Sequence, residues 1–577
     1  MEILNQFLRT DIQDTPMEKI DVYLHQLKEK QLWWAHQVSL EERIALLKQV
    51  QVNIIAAMDE WIVLDAKSKQ TPSSHWDYTT SAITPGYAGL ATRLYLRMLE
   101  DIRAYGRPRL FKKIRQEEDR VQVEIFPHDF KDSILWHRVK GTIYLKSGTR
   151  VIDFEQYQTN YQDPEFQGAL SLVLASGNYA HLTFSDVFHK LIAEKNVVLV
   201  KINPVKGYLF GILSTVLKPF IEAGVVRIIE GGPLVGQYAS HHPLIDTIHM
   251  TGSDKTFEAI VYGNGAEGTE NKKKDRRLLN IPITGELGCV TPIILVPGEW
   301  QEEDFHYQAK NIISMLGFNA GFTCCAPRVL IMPKEWKGSL KLLHLIRHYM
   351  KVLSIASNYY PGTDERIKIL ETQYPHLEKI GLYDATHQPW MLMTNLDPDQ
   401  NEYAFKVEVW AAFMSQVYLS FQNVSAYLNA AVEFANSQLW GTLSAMILID
   451  KKTQKQLEKT GCLSQALRKL RYGVVTINIF SGHANGLGLF PWGGYPGSNY
   501  QDIQSGNHYV NNLLLLKNVE KTVVQAPFRP WPKSLLLGTN KKLIKVAHAF
   551  SRYNITGRWI DFFKVIGTIF FARGNGP

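Results

Sequence analysis

The sequence predicts an α/β protein built on two doubly wound parallel sheets. Three observations carry this. Between residues 170 and 287, short apolar runs alternate with helical stretches, as parallel strands and their crossovers require. The same alternation resumes from 291 to about 480. Turn residues (Gly, Asn, Ser, Thr) stand at the ends of the apolar runs. A chain of 577 residues is too long for one core, so two or three domains are expected.

The elements before residue 160 read as follows. Residues 1–125 are mostly helical. Ser39-Leu40-Glu41-Glu42 forms a capping box, and Ile44, Leu47, Val50 and Ile54 follow at helical spacing. Residues 78–91, rich in Thr, Pro and Gly, read as a loop. Residues 121–125 alternate as a strand does, and 139–144 with 151–154 predict a hairpin around Lys146-Ser147-Gly148-Thr149.

The parallel unit comes next. Residues 170–175 form a buried-type strand ending in Ser176-Gly177-Asn178-Tyr179. Residues 196–201 form a second, ending in Lys201. A helix over 209–223 ends at Gly224, and 225–229 is a third strand, followed by Gly231 to Gly236. Residues 246–250 are a fourth, ending in Thr251-Gly252-Ser253. The charged run 264–277 reads as a solvated loop, and 278–284 is a fifth strand, ending in Gly285-Glu286-Leu287-Gly288-Cys289. Ligands of open parallel sheets bind outside the carboxyl ends of the strands, where Asn178, Lys201, Gly232 and Ser253 fall.

In the second α/β region, 304–316 and 424–438 read as helices, and 443–449 and 474–479 as strands. A glycine-rich run from 482 to 498 follows. Two of the four cysteines stand together in Gly321-Phe322-Thr323-Cys324-Cys325. Cysteine attacks only as a thiolate, and a Gly before it permits an unusual turn, although paired small hydrophobes in a core explain the same stretch. Four cysteines are too few for a disulfide scaffold and show no zinc spacing with His, so a reducing, cytoplasmic setting and no metal are expected. The start of the chain shows no signal-peptide pattern, and no stretch is long and apolar enough to span a bilayer.

The net charge of +8 sits in the tail: from Ala526 onward nine Lys and Arg face the single acid Asp561. This charge says little about the substrate of the main body. No nucleic-acid-binding module accompanies it, so nucleic acid is not an expected partner. Pro527, Pro530 and Pro532 break the tail from the body. Leu543, Ile544, Ala547 and Phe550 then form one helical face opposite Lys541, Lys545, His548 and Arg552, with a second stripe at Trp559, Phe563, Ile566 and Phe570. Packing on the body or on a neighbouring subunit is one reading of these stripes, and peripheral contact with an anionic membrane surface is another.

Taken in order, Ser176-Gly177-Asn178-Tyr179, Val198 to Lys201, Ile248 to Ser253, Gly285-Glu286-Leu287-Gly288, Gly321-x-x-Cys324, Glu408-Val409-Trp410 and Pro491 to Tyr495 resemble the motifs of the aldehyde dehydrogenase superfamily, in a divergent bacterial form, over about residues 30–525. The sequence departs from the family pattern at Pro204, Phe257, Cys289, Phe322 and 409–412. The resemblance implies that Cys324 is the nucleophile, that Asn178 holds the oxyanion and that Glu286 activates water. It implies that Lys201, Gly232, Gly236, Ser253, Leu287, Glu408 and Trp410 hold NAD or NADP. It further implies an aldehyde dehydrogenase-like fold with a cofactor domain (1–135 and 156–285), a catalytic domain (286–497) and a small β oligomerisation element (136–155 and 498–525), with 526–577 as an extension. The expected activity is oxidation of an aldehyde, an apolar one judging by Phe318, Phe322, Trp410 and Trp492, by a homodimer or homotetramer. A CoA-linked, thioester-forming enzyme and a non-catalytic scaffold are the alternatives.

Overall fold

The computed structural model describes residues 12–110, 113–530 and 537–571. The readings made on the first eleven residues and on Pro532 lie outside the described residues.

Two parallel sheets organise the chain. The smaller has five strands in the order Val226–Ile229, Val197–Lys201, Leu170–Leu174, Thr247–Gly252 and Ile283–Leu287, all parallel. Chain order runs outward in both directions from Leu170–Leu174, so a switch point lies between that strand and Thr247–Gly252. Nearly every residue of these strands is buried, as a sheet covered on both faces demands. The fifth strand begins later than its apolar run suggests. Ile283–Leu287 includes Glu286 itself, because the edge pairs with Thr247–Gly252 through Thr251 and Gly252.

The larger sheet has eleven strands. Its parallel centre runs Val519–Gln525, Val474–Ile477, Ser444–Leu448, Thr291–Leu295, Pro327–Pro333, Phe413–Leu419 and Trp390–Leu396. Lys140–Leu145 joins Val519–Gln525 antiparallel, and Arg120–Phe126 and Ile114–Glu117 continue outward to the edge. The 139–144 strand therefore pairs with Arg120–Phe126 and Val519–Gln525. Residues Val151–Tyr157 form a 3-10 helix instead of its hairpin partner.

Two further expectations change. The run read as a loop at 78–91 is the first half of a long helix, Tyr78–Tyr105, with Pro85 inside it. Its small residues serve close packing: a Cβ on Gly86 would lie 2.5 Å from Ser551 Cα, and one on Gly89 2.4 Å from Ile555 Cγ1. Tertiary contact overrides helix propensity here. The polar run at 264–277 contains the helix Gly265–Lys273, tied to Asp254–Tyr262 by Lys272–Glu258 at 2.7 Å.

The tail forms Leu543–Thr556 and Trp559–Phe571. The first buries Leu543, Val546, Ala547, Phe550 and Ile555, mainly on Tyr78–Tyr105, each large side chain contributing about 1.5–3 kcal/mol. The second buries Phe562 and Val565 and leaves Trp559, Ile560, Phe563 and Phe571 exposed. Among the described residues no helix is long and apolar enough to cross a membrane.

Candidate active site

The carboxyl ends of four of the five parallel strands, those of Leu170–Leu174, Val197–Lys201, Thr247–Gly252 and Ile283–Leu287, open into a cavity of about 910 Å³ between the two sheets. Asn178, Lys201, Gly236, Ser253, Glu286, Leu287, Cys324, Glu408 and Trp410 all line it. Gly232 stands beside it, as N-cap of the helix Pro233–Ser240.

Cys324 is presented by a constrained turn. The helix Glu302–Gly317 ends, and Asn319 (φ 56°), Ala320 (φ 54°) and Gly321 (φ 84°) follow in the left-handed region. Two non-glycine residues there cost about 1–2 kcal/mol each. Buried groups hold them in place. The Asp77 carboxylate accepts the Asn319 and Ala320 N–H groups at 2.8 and 2.9 Å. Gln388 donates to the Ala320 carbonyl, and Arg328 donates to those of Gly321 and Ala411. Gly321 is required sterically, since a Cβ would meet the Ala411 backbone at 2.9 Å. The turn leaves Cys324 partly exposed to the cavity and sends Cys325 into the core.

The strand-end turn 176–179 is bonded to this cysteine turn. Asn178 donates its side-chain amide to the Phe322 carbonyl at 3.3 Å, and Tyr179 and Thr323 hydroxyls meet at 2.9 Å. The other end of the Asn178 amide accepts from Ser176 and from the Tyr179 N–H, which fixes the nitrogen toward the Phe322 carbonyl in the cysteine turn.

Electrostatics follow from burial. Glu286 is pushed up to about 8, first by burial and then by the nearby Asp186 carboxylate, against the Trp492 and Cys324 side chains that favour its charge. The Cys324 thiol is held well above its ordinary range by the Cys325 side chain, by burial and by Glu286. Burial brings Lys201 down to about 8, opposed by Asp14. Burial also raises Glu408 to about 8, opposed by Arg328.

The lining fits a dinucleotide. The helix Asp254–Tyr262 points its N-terminus, capped by Ser253, into the cavity, as anionic phosphates require. Glu286 Oε1, Glu408 Oε1 and Trp410 Nε1 are buried with no hydrogen-bond partner, so the cavity wall presents polar atoms that a ligand would satisfy. Glu408 lies flat on Gly288, where a Cβ would fall 1.7 Å from its carboxylate.

Sequence reasoning missed four contributors: Asp14, Asp77, Tyr360 and Trp440. Asp14 accepts the Gly232 N–H at 2.8 Å beside Lys201, and only the pairing of Thr15 with Glu230 brings it there. Tyr360 and Trp440 line the cavity with Trp410. Phe318, Phe322 and Trp492 are buried in the core rather than exposed in the wall. Phe322 packs behind Tyr360 and Tyr359 at centroid distances of 5.3 and 5.1 Å. Phe257 turns its ring inward, toward Gly285 and Tyr500.

Residues 158–364 match the aldehyde dehydrogenase family model. A 3-succinoylsemialdehyde-pyridine dehydrogenase from Pseudomonas sp is 22% identical over half of this chain and 55% of that protein. An aldehyde dehydrogenase from Enchytraeus buchholzi is 28% identical over 25% of this chain and 27% of its own length. The matched segments thus span from about a quarter to just over half of these relatives. Solved structures resemble the whole body. An aldehyde dehydrogenase of Pseudomonas syringae complexed with NAD+ and octanal gives a TM-score of 0.60 at 14% identity, covering 90% of each chain. The NADP-dependent glyceraldehyde-3-phosphate dehydrogenase of Bacillus halodurans, complexed with NADP, gives 0.59 at 16%, covering 89% of this chain and 92% of that one. The chain thus has the fold of these aldehyde dehydrogenases, and its segment 158–364 is similar in sequence to that family.

Proposed function

We propose that the protein oxidises an apolar aldehyde to the carboxylic acid with NAD or NADP. One observation carries this reading: Cys324, Asn178 and Glu286 line one cavity together with Lys201 and a helix N-terminus.

Cys324 adds to the aldehyde carbonyl: the sulfur–carbon bond forms as the carbonyl π bond opens to the oxyanion, and the thiol proton passes to the neighbouring Glu286 carboxylate, which releases it to solvent before hydrolysis. Asn178 and the backbone N–H of Cys324 stabilise the oxyanion. They are fixed before the charge develops, so they act on the transition state rather than on the bound aldehyde. NAD or NADP bound in the cavity would supply the hydride acceptor, and the oxidised carbon would remain on Cys324 as a thioester. Glu286, with an unpartnered buried oxygen, takes a proton from the water that hydrolyses it. Lys201 and Glu408 would hold the cofactor's riboses, and Ser253 and the following turn would face its phosphates. Trp410, Tyr360 and Trp440 give the aldehyde an apolar wall. The exposed edge strand Ile114–Glu117 suits self-association into a homodimer, which light scattering measures.

The test is reduction of NAD and of NADP by the full chain with octanal, beside the Cys324→Ala variant. Octanal-dependent reduced nicotinamide, lost in the variant, supports the reading; equal rates in both proteins refute it.

A further inference from the structure

Away from the cavity, three side chains converge that the proposed chemistry does not use. The helix Ala180–Phe188 continues into a π-helical turn, His189–Ala193, in which the Glu194 N–H reaches back to the His189 carbonyl at 3.0 Å. Such turns are rare and concentrate at functional positions. The widened turn stacks the side chains of His189 and Glu194, five residues apart, on one face. An ordinary α-turn would rotate them well away from each other. His508 arrives from the segment that follows the glycine-rich run. His189 Nε2 lies 2.8 Å from His508 Nε2, and Glu194 Oε1 lies 3.1 Å from the first and 3.4 Å from the second. The His189 side chain is 7% exposed and the other two are each 29% exposed.

We propose that His189, Glu194 and His508 form a three-ligand site for a borderline divalent transition-metal ion of the Zn2+ or Co2+ type, with a fourth position open to water. Tetrahedral Zn–N and Zn–O bonds of about 2.0–2.1 Å place ligand atoms roughly 3.3 Å apart, and the three observed separations bracket that value. Two imidazoles and a carboxylate exclude Mg2+ and Ca2+, which take all-oxygen shells. The neighbouring charges are defined. Lys190 bonds both oxygens of Glu194 at 2.8 and 3.0 Å, so the ion takes the remaining lone pair on Oε1 and meets a nearby cation. His249 meets His508 edge-on, with ring centroids 6.0 Å apart, and turns its Nε2 toward Asp186.

The site bridges two parts of the chain. His189 and Glu194 belong to the π-helical turn that follows Ala180–Phe188, whereas His508 belongs to a strap that runs along the edge strand carrying Glu286. On that strap, Ser505 accepts from the Leu287 N–H, Asn507 accepts from the Gly285 N–H, and Gly506 bridges Glu286. An ion here clamps the strap to the sheet.

The test uses the full chain, stripped with a chelator, loaded with ZnCl2 or CoCl2 and desalted. Elemental analysis of wild type should give one more zinc per chain than the double variant His189→Gln/His508→Gln. The cobalt form should show a tetrahedral visible band that weakens at least tenfold in affinity in Glu194→Gln. Zinc held by cysteine persists in both proteins and cancels. Wild type that retains no zinc at micromolar loading overturns the proposal, whatever the folding of the variants. Zinc content equal in wild type and the double variant overturns it too, and shows the two imidazoles merely share a proton.

Discussion

The side-chain amide of Asn178 donates to the carbonyl of Phe322 at 3.3 Å, across 144 residues of sequence. One strand end of the smaller sheet is thereby locked to the turn that presents Cys324. Removing that amide leaves the turn's other supports in place. Asn178→Ala should therefore lower kcat/KM by about 10²–10³ while cofactor affinity changes little. Steady-state kinetics and calorimetric titration with NAD check the two halves of this expectation.

Glu286 works as a base only when ionised, and its folded pKa is about 8. The hydrolytic rate should rise with pH, with a midpoint near 8, and level off above it. Asp186 is one cause of the upward shift, so Asp186→Asn should move the midpoint to lower pH. A pH–rate profile of the two proteins measures this.

The same shift bears on stability with a defined sign. The folded pKa lies above the roughly 4.3 of an unfolded Glu. The folded state thus binds more protons between these values, and stability present below about pH 4 is lost as pH rises through about 8. Glu286→Gln removes the penalty. The variant should gain on the order of 1–3 kcal/mol over wild type at pH 8 and little at pH 4. Urea unfolding at the two pH values decides it.

Asp77 accepts two backbone N–H groups of the left-handed turn before Cys324. Asp77→Ala leaves both buried without partners, at about 1–3 kcal/mol each. A lowered urea midpoint with unchanged slope is expected, along with faster alkylation of Cys324 as the turn loosens.

Asp14 stands beside Lys201 and Gly232, at the carboxyl ends of their strands. An acid in that position repels a 2′-phosphate. Asp14→Asn should improve NADP affinity several-fold and leave NAD within about twofold. Paired titrations with the two cofactors measure the ratio.

Much of the small sheet was legible because each strand is a short apolar run closed by turn residues, and strand ends place ligands by topology alone. Topology alone reaches Asn178, whereas Glu286 and Cys324 stand out only through the resemblance of their motifs to the aldehyde dehydrogenase superfamily. What escaped depends on contacts distant in sequence. Residues 78–91 read as loop because Gly86 and Gly89 lower helix propensity, yet those glycines make room for Ser551 and Ile555, some 465 residues on, within the helix Tyr78–Tyr105. Asp77 and Asp14 carry no local signal, since their partners Ala320 and Gly232 are hundreds of residues away. Phe322 looked like a pocket residue by its neighbours in sequence, but the left-handed turn at 319–321 directs its ring into the core behind Tyr360.

The central claim is that Cys324 carries the covalent intermediate. Full-length protein turning over octanal with its preferred cofactor, quenched in acid and digested, reports this by peptide mass spectrometry. An octanoyl mass increment on the peptide at Cys324, absent from Cys324→Ala, is the predicted result. Continued turnover with no acyl group on that peptide, or with the acyl group on Cys325, would contradict the account.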